Sequence, residues 1–284
     1  MKRKYTGISL FFIAALIFGL IFSRPKLFEG KKTAAEQSIM VPTVFVHGYK
    51  GSDRSFSTMF KRMDEYKWGQ KTLVCRVDNQ GHIQFRGSLP KRVANPFIQV
   101  IFQNNRATLA DQTQWLKSIM GELRARYGVR EMNLVGHSMG GLALTNFLET
   151  AGDNGQYPRA LKLITIGSPF KGIDREDYFE HNYGEALIDL KPSSQALELL
   201  MQNRGAFPKE VPVLSIAGVV TDPQAGDGLV SLHSAHGNRD IIDPSQFTEL
   251  IVEEPEATHF GLHEHPMVDK LIGEFLWGVS LPEK

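Results

Sequence analysis

Apolar runs alternate with stretches of helical periodicity along most of this chain. The apolar runs that favour buried strands occupy residues 41–46, 71–77, 132–135, 161–166, 211–220 and 247–252. The segments between or after them that predict helices are 108–126, 140–150 and 266–277. Strands that alternate with helices in this way predict a mainly parallel sheet covered by helices on both faces.

Two segments depart from this alternation. The short runs 83–85 and 97–102 predict an additional hairpin, because 79–81 has the composition of a turn. The segment 170–208 has mixed polarity and helical patches such as 194–201, and it lies between two predicted strands. We expect this segment to form a small cap insertion on the sheet domain.

The N-terminus differs from the rest of the chain. Lys2, Arg3 and Lys4 precede an uncharged apolar run at 8–22. A run of about 15 residues is long for a signal-peptide core and short for a spanning helix. The basic residues predict that the N-terminus stays in the cytoplasm and that the remainder faces outward. Because no small-x-small cleavage site follows directly, an uncleaved anchor is favoured over a cleaved signal peptide.

The chain therefore divides into three predicted parts. Residues 1–23 form the signal anchor or signal peptide, 24–38 a polar tether, and 39–284 one large α/β domain. The formal net charge is +1, and no block of like charge beyond Lys2, Arg3 and Lys4 would argue for nucleic acid as a partner. Cys75 is the only cysteine, which excludes an intrachain disulfide and a cysteine-based metal cluster. Its apolar neighbours predict a buried position on a strand.

The motif at 136–140, Gly-His-Ser-Met-Gly, carries the strongest chemical signal in the sequence. It matches G-x-S-x-G between a predicted strand and a predicted helix, which is where a nucleophilic serine occurs. The neighbours must be small because the chain reverses tightly and presents the hydroxyl at the N-terminus of the helix. We expect Ser138 to be a nucleophile, and an ordinary glycine-rich turn is the alternative.

A second motif, His47-Gly48-Tyr49, ends the first predicted strand. Gly48 would let the backbone approach the reacting carbonyl group, so that the N–H of Tyr49 points into the site. The N–H of Met139, directly after the candidate nucleophile, would be the second donor of an oxyanion hole. For the imidazole of His47, filling space at the strand end is the alternative role.

A serine nucleophile needs a base, and the base needs a carboxylate that orients it. Asp222 and Asp227 both follow the next-to-last predicted strand, and we favour Asp227 because Gly228 turns its loop back toward an apolar anchor. Asp222 is expected to hydrogen-bond its own loop. His233 and His236 lie further along in a polar loop and are expected to be exposed.

The candidates for the base are His259, His263 and His265. We favour His259, since it is the first to follow the last predicted strand. The other two are expected to be solvated or structural. Together with Glu264 these histidines could also form a metal site, but their order differs from H-E-x-x-H and Gly261 interrupts the spacing.

The combination of motifs resembles the cell-surface α/β hydrolases of uncharacterised function from Gram-positive bacteria. The likeness runs from about 41 to 277, and the segments that carry it are 44–49, 95–100, 115–116, 133–141, 167–170, 227–230 and 259–265. The segment 259–265 is also similar to the ending of small bacterial lipases, in which the first histidine is catalytic. The resemblance implies the α/β-hydrolase fold and esterase or lipase chemistry with no cofactor.

These observations predict a carboxylic ester hydrolase at the cell surface, with Ser138 as nucleophile, His259 as base and Asp227 as the orienting acid. The N–H groups of Tyr49 and Met139 are the predicted oxyanion donors. The expected substrate is a small-molecule or lipid ester, and the N-terminal segment is expected to contact the membrane, or to be lost from a secreted protein. Transfer of the acyl group to a wall or lipid alcohol and a catalytically silent binding module remain as alternatives.

Overall fold

The computed structural model describes residues 40–152, 155–222, 224 and 226–279. No helix in this part of the chain is both long enough and apolar enough to cross a membrane. The predicted anchor and its apolar run at 8–22 lie outside the described residues, as does the tether at 24–38.

One eight-stranded sheet organises the described residues. Its strands are β1 (Thr43–Val46), β2 (Gln70–Val77), β3 (Ile83–Gly87), β4 (Pro96–Phe102), β5 (Glu131–His137), β6 (Arg159–Ile166), β7 (Val213–Val219) and β8 (Phe247–Glu253). They lie in the order β3-β2-β4-β1-β5-β6-β7-β8. Only the β2–β3 pair in this sheet is antiparallel, so the mainly parallel sheet predicted from the sequence is confirmed.

The hairpin predicted from 83–85 and 97–102 is wrong. The turn at 79–81 precedes β3, so it joins β3 to β2, where Phe85 lies opposite Cys75. β4 instead lies between β2 and β1 and is parallel to both, with Ile98 opposite Val44 of β1. Every residue of β4 is buried, as a central strand with helices on both faces requires.

Helices cover both faces of this sheet. They are α1 (Ser57–Glu65), α2 (Leu109–Tyr127), α3 (Met139–Ala151), α4 (Glu176–Glu180), α5 (Ala186–Asp189), α6 (Gln195–Asn203), α7 (Leu232–Ala235) and α8 (Pro266–Trp277). Val44 and Val46 belong to the core that includes α2 and α3, whereas Phe45 belongs to the core that includes α1 and α8. Successive side chains of a strand point to opposite faces, so β1 contributes to both cores.

The predicted helices at 108–126, 140–150 and 266–277 correspond to α2, α3 and α8. Helix α1 has no counterpart in the sequence prediction. Its N-cap position is occupied by Phe56, which offers no capping side chain and has a positive φ of 65°. The start signal that sequence reasoning looks for is therefore missing from this helix.

The three short helices α4, α5 and α6 lie between β6 and β7, where the sequence predicts a small cap insertion at 170–208. The cap is tied to the loop after β4, because the N–H of Ala186 donates to the carbonyl oxygen of Arg106 at 3.0 Å. Within the cap, the N–H of Ile173 donates to the carbonyl oxygen of Leu190 at 2.8 Å. The insertion therefore folds back on itself at the carboxyl end of the sheet.

Two smaller predictions have different outcomes. Cys75 is buried in β2, as predicted. His236 is only 1% exposed, so the prediction of an exposed loop histidine is wrong for this residue. It follows α7, and its Nδ1 lies 3.0 Å from the hydroxyl oxygen of Ser215 on β7. His233 is exposed, as predicted.

Candidate active site

Ser138 lies at the bend between β5 and α3, with φ 52° and ψ −127°. A residue with a Cβ rarely adopts this conformation, which costs about 1–3 kcal/mol. The neighbouring glycines make the bend possible. A Cβ on Gly136 would lie 2.5 Å from the backbone nitrogen of Gly141, and one on Gly140 would lie 2.3 Å from the carbonyl oxygen of Val46. The glycine spacing of the motif is therefore a packing requirement.

Ser138, Asp227 and His259 follow β5, β7 and β8, and the parallel sheet brings these strand ends to one edge. Nε2 of His259 lies 3.0 Å from Oγ of Ser138, and its Nδ1 lies 2.8 Å from Oδ2 of Asp227. The three residues are 4%, 2% and 5% exposed in chain order. Because a carboxylate only accepts, Nδ1 carries the proton and the lone pair of Nε2 faces the serine hydroxyl. An imidazole in this state can accept the hydroxyl proton.

The loop around Asp227 holds its carboxylate in place. Oδ1 accepts hydrogen bonds from the backbone N–H groups two and three residues ahead, at 3.0 and 2.7 Å. The backbone carbonyl of Asp227 accepts from the N–H of His259 at 2.9 Å, so the two residues are joined twice. Asp222, the alternative acid, accepts from the N–H of Gln224 at 2.9 Å within its own loop. The structure therefore places Asp227, and not Asp222, beside the imidazole.

The backbone N–H groups of Tyr49 and Met139 are the two candidate oxyanion donors. Among the described residues, neither N–H has a hydrogen-bond acceptor. The backbone before Tyr49 packs against the candidate nucleophile, because a Cβ on Gly48 would lie 2.6 Å from Cβ of Ser138. Two N–H groups without partners beside a serine hydroxyl suit a ligand oxygen that carries negative charge.

The imidazole of His47 orients one of these donors. Its Nδ1 lies 2.8 Å from the carbonyl oxygen of Gly48, and its Nε2 accepts from the N–H of Phe102 at 3.0 Å. Burial lowers the pKa of His47 to about 4, so the ring is neutral with its proton on Nδ1. Because C=O and N–H of a trans peptide point in opposite directions, holding the Gly48 carbonyl turns the N–H of Tyr49 away from this ring. His47 thus does more than fill space.

His137 is a residue for which sequence reasoning assigns no role. Its Nε2 donates to the carbonyl oxygen of His259 at 2.8 Å. Burial lowers the pKa of His137 well below the ordinary value, and the neighbouring imidazoles of His263 and His259 act in the same direction. The backbone of His259 is therefore held on both sides, by Asp227 at its N–H and by His137 at its carbonyl. The only signal in the sequence is the position directly before the candidate nucleophile.

Glu264 connects the loop after His259 to α1. Its Oε2 accepts from the N–H groups of Thr58 and Met59, at 2.8 and 3.3 Å. Since α1 has no cap of its own, this distant carboxylate satisfies the free N–H groups of its first turn. Arg62 of the same helix donates to the carbonyl oxygen of Glu264 at 2.7 Å. The candidate base is therefore followed by a loop fixed to a helix of the core.

His263 and His265 are 8% and 7% exposed, so they are buried and not solvated. The only group of three potential metal ligands in the described residues is His265 with Glu254 and Glu256. Nδ1 of His265 accepts from the N–H of Met267 at 3.2 Å. A neutral ring then carries its proton on Nε2, the nitrogen that lies 3.2 Å from Glu254, and has no lone pair left for a metal. These hydrogen bonds do not fit a metal site.

Two clefts border the candidate site and meet at Phe260, which is 59% exposed. The hydroxyl cleft, of about 380 Å³, is lined by Tyr49, His137, Phe260 and His263 as well as by Lys50, Ser52, Arg54, Ser57, Thr58 and Glu264. The cap cleft, of about 390 Å³, is lined by Tyr178, Leu229 and Phe260 as well as by Arg175, Asp177, His181, Asn182, Asp227, Thr258 and His259. A larger cleft of about 560 Å³ lies beside Arg239 and is lined by none of Ser138, Asp227 and His259. Of the two clefts that meet at Phe260, one is lined by Tyr49 and the other by Asp227 and His259.

Comparisons with known proteins agree with this architecture. The family model described as alpha/beta hydrolase of unknown function (DUF915) matches residues 30–279. A search of curated proteins finds no match. The resemblance expected from the sequence motifs is confirmed by the family model, as is the α/β-hydrolase fold.

Solved structures place the chain among similar proteins. The lin2722 gene product of Listeria innocua is 31% identical, with a TM-score of 0.74 over 86% of this chain and 96% of its own. A Lactobacillus plantarum protein that is named as a proposed cell surface hydrolase is 25% identical. Its TM-score is 0.68, over 86% of this chain and 94% of its own. Lipase B of Aspergillus fumigatus shares the fold at 12% identity, with a TM-score of 0.56 over 86% of this chain and 54% of its own.

Proposed function

Since the chain belongs to the family of alpha/beta hydrolases of unknown function that matches its sequence, we propose that it is a serine hydrolase that cleaves carboxylic esters through an acyl-enzyme. One observation carries the proposal: hydrogen bonds of 2.8 and 3.0 Å connect Asp227, the imidazole of His259 and the hydroxyl of Ser138. The three groups are buried and follow the ends of three parallel strands.

In the proposed reaction, His259 removes the hydroxyl proton as Ser138 attacks the ester carbonyl carbon. The protonated imidazole then gives this proton to the leaving alcohol, and a serine ester remains. In the second half-reaction, His259 removes a proton from a water molecule as the water oxygen attacks the serine ester. The imidazole then returns this proton to Oγ of Ser138, and the acid is released. Asp227 keeps the proton of the neutral ring on Nδ1 and stabilises the imidazolium that forms in each half-reaction.

The N–H groups of Tyr49 and Met139 are proposed to receive the negative charge that develops on the carbonyl oxygen. Support comes from their lack of acceptors among the described residues and from the contact of Gly48 with the nucleophile. Loss of one such donor typically costs about 100- to 1,000-fold in kcat. The contact between His47 and the Gly48 carbonyl would keep the first donor aimed at the site before substrate binds.

The test compares the full-length chain with Ser138→Ala and Ser168→Ala. Ser168 is a fully buried serine that follows β6, so it controls for loss of a buried hydroxyl near the site. We expect a fluorophosphonate to label the wild type and Ser168→Ala but not Ser138→Ala. We also expect Ser138→Ala to lose at least about 10⁴-fold in turnover of p-nitrophenyl acetate.

Three results would count against the proposal. Equal labelling or equal turnover of wild type and Ser138→Ala would remove the assigned nucleophile, and an unlabelled wild type would favour a silent binding module. If added glycerol captures most of the acyl group as a new ester, acyl transfer is the reaction. Hydrolysis predicts that free acid remains the main product at every glycerol concentration.

We also propose that the enzyme acts at the cell surface, with residues 1–23 as its anchor, 24–38 as its tether and 39–284 as its catalytic domain. The basic residues before the apolar run at 8–22 support this orientation, and so does the given name of the Lactobacillus protein. The measurement is digestion of intact cells with an external protease. We expect cleavage of the membrane-bound chain, and a protected chain in the cytosolic fraction would refute the location.

A further inference from the structure

The side chain of Tyr49 is bonded to the cap, while the backbone N–H of the same residue is a candidate oxyanion donor. Tyr49 is buried, and its hydroxyl donates to the backbone carbonyl oxygen of Tyr183 at 2.6 Å. Its ring also packs edge-on against the ring of Tyr178 in α4, with centroids 6.3 Å apart. Both partners belong to the insertion between β6 and β7. A single residue therefore connects the cap to the candidate oxyanion hole.

Two cations flank this contact. Nζ of Lys50 lies 5.8 Å from the centre of the Tyr49 ring and donates to Oδ1 of Asn182 at 2.8 Å, so the next residue of the chain is bonded to the cap as well. The guanidinium carbon of Arg106 lies 4.4 Å from the centre of the Tyr183 ring and 5.8 Å from that of Tyr49. A cation over an aromatic ring is attracted by the negative charge of its face. Arg106 therefore contacts both tyrosines that form the hydrogen bond.

The surroundings of Arg106 direct its charge toward these rings. Its Nε is buried without a hydrogen-bond partner among the described residues, and its Nη1 donates to Oδ1 of Asn105 at 3.2 Å. The cap backbone lies directly on its side chain, because a Cβ on Gly184 would lie 2.7 Å from Cβ of Arg106. Burying a donor without a partner lowers stability, so the position of this guanidinium needs another explanation. Its contacts with Tyr49 and Tyr183 supply one.

The peptide group that carries the N–H of Tyr49 is held in three ways. A trans peptide is planar, so its placement depends on its two Cα atoms and on rotation about the line between them. The packing of Gly48 against Ser138 restrains the first Cα atom, and the contact of His47 with the Gly48 carbonyl restrains the rotation. The second Cα atom belongs to Tyr49. The bonds between its side chain and the cap restrain that atom.

From these contacts we infer that the hydroxyl of Tyr49 and the guanidinium of Arg106 are positioning groups, which couple the cap to the oxyanion hole and aim the N–H of Tyr49. Neither group needs to touch the substrate. The inference rests on the proposed function, since it requires an oxyanion formed at Ser138. A donor that acts on charge in the transition state changes kcat more than KM. Loss of either positioning group should therefore lower kcat and leave KM nearly unchanged.

The experiment compares the full-length wild type with Tyr49→Phe in turnover of p-nitrophenyl acetate and in inhibition by a trifluoromethyl ketone. The serine oxygen adds to the carbonyl carbon of such a ketone, and the oxyanion that results occupies the same hole. Tyr49→Phe keeps the N–H and loses only the hydroxyl. We expect it to lower kcat by about tenfold and to raise the inhibition constant by a similar factor, with KM within about twofold. Tyr127→Phe, the same change at a half-buried position of α2, should match the wild type.

A second set of variants tests the cation. Arg106→Met keeps an unbranched side chain without charge and should lower kcat by about threefold. Arg106→Lys retains a cation and should restore part of that loss. Tyr183→Phe keeps both the carbonyl oxygen and the ring, so it should match the wild type. Urea unfolding identifies the folded variants, and Arg106→Met decides the outcome if Tyr49→Phe does not fold.

Fluorophosphonate labelling of Ser138 separates this inference from the proposed function. If the wild type is labelled but Tyr49→Phe and Arg106→Met keep its kcat and inhibition constant, the inference is wrong and the proposed function stands. A loss that appears only in KM or only in the free energy of unfolding overturns the inference in the same way. An unlabelled wild type overturns both.

Discussion

Glu149 lies on α3 and is only 5% exposed, and neither of its carboxyl oxygens has a hydrogen-bond partner among the described residues. Burial raises the pKa of Glu149 from 4.5 to about 8. The physical cause is that an ionised carboxylate would lose its hydration at this position and gain no partner in return. We therefore expect this group to make the folded chain less stable as the pH rises.

The sign of this pH dependence follows from whether Glu149 keeps its proton in the folded and in the unfolded chain. Below a pH of about 4.5 the folded and unfolded chains both keep the proton, and the group has no effect. Between that value and a pH of about 8, the unfolded chain has released a proton that the folded chain keeps. The free energy of unfolding then falls by about 1.4 kcal/mol per pH unit, with a total loss of about 2–5 kcal/mol.

Urea unfolding of the wild type and Glu149→Gln between about pH 6 and pH 9 measures this effect. The amide is uncharged throughout, so its own cost of burial is constant. We expect the stability of the variant relative to the wild type to increase with pH up to about 8 and then to level off. Glu198→Gln, at an exposed position of α6, should show no such trend. Parallel curves for the wild type and Glu149→Gln would refute the reasoning.

Three further changes test the candidate site. Asp227→Asn should lower kcat by about 10³- to 10⁴-fold in an ester assay, because an amide N–H facing the imidazole selects the wrong tautomer. His137→Phe removes the N–H that holds the carbonyl of His259, and should lower kcat by roughly tenfold with little change in KM, since the base is then less well positioned. His137→Gln, which can present an N–H again, should restore part of that loss. Glu264→Ala should lower the free energy of unfolding by about 1–2 kcal/mol in urea, because the first turn of α1 loses its acceptor.

Each of these changes has a matched comparison. Asp222→Asn should leave kcat unchanged, and an equal loss in both aspartate variants would contradict the choice between them. If the His137 variants change only the melting temperature and leave kcat as in the wild type, the role of His137 is packing alone. Glu264→Gln keeps an oxygen acceptor, so it should destabilise the chain less than Glu264→Ala. Equal losses would mean that the acceptor is not what stabilises α1.

The sequence predicts most of the fold because its signals are short-range. Strand and helix periodicity depends on neighbours within a few residues, and α8 spans Pro266–Trp277, the range that the sequence predicts. The bend at Ser138 could be predicted for the same reason, since the required glycines stand within the motif itself. The pairing of β4 could not, because strand order depends on contacts between residues far apart in the chain. A turn placed correctly at 79–81 still led to the wrong hairpin.

What the sequence alone determined is the set of candidate groups: a serine in a tight bend, two aspartates, and three histidines after the last strand. Loop chemistry and strand order already favour Asp227 and His259, but only the tertiary structure shows that these side chains lie within hydrogen-bond distance, because that requires strand ends that meet at one edge of the sheet and are distant in the chain. The same holds for the contacts of His137 with His259 and of Glu264 with Thr58, which join residues 122 and 206 positions apart along the chain. Local sequence patterns predict the helices and strands, whereas the order of the strands in the sheet determines which side chains come into contact.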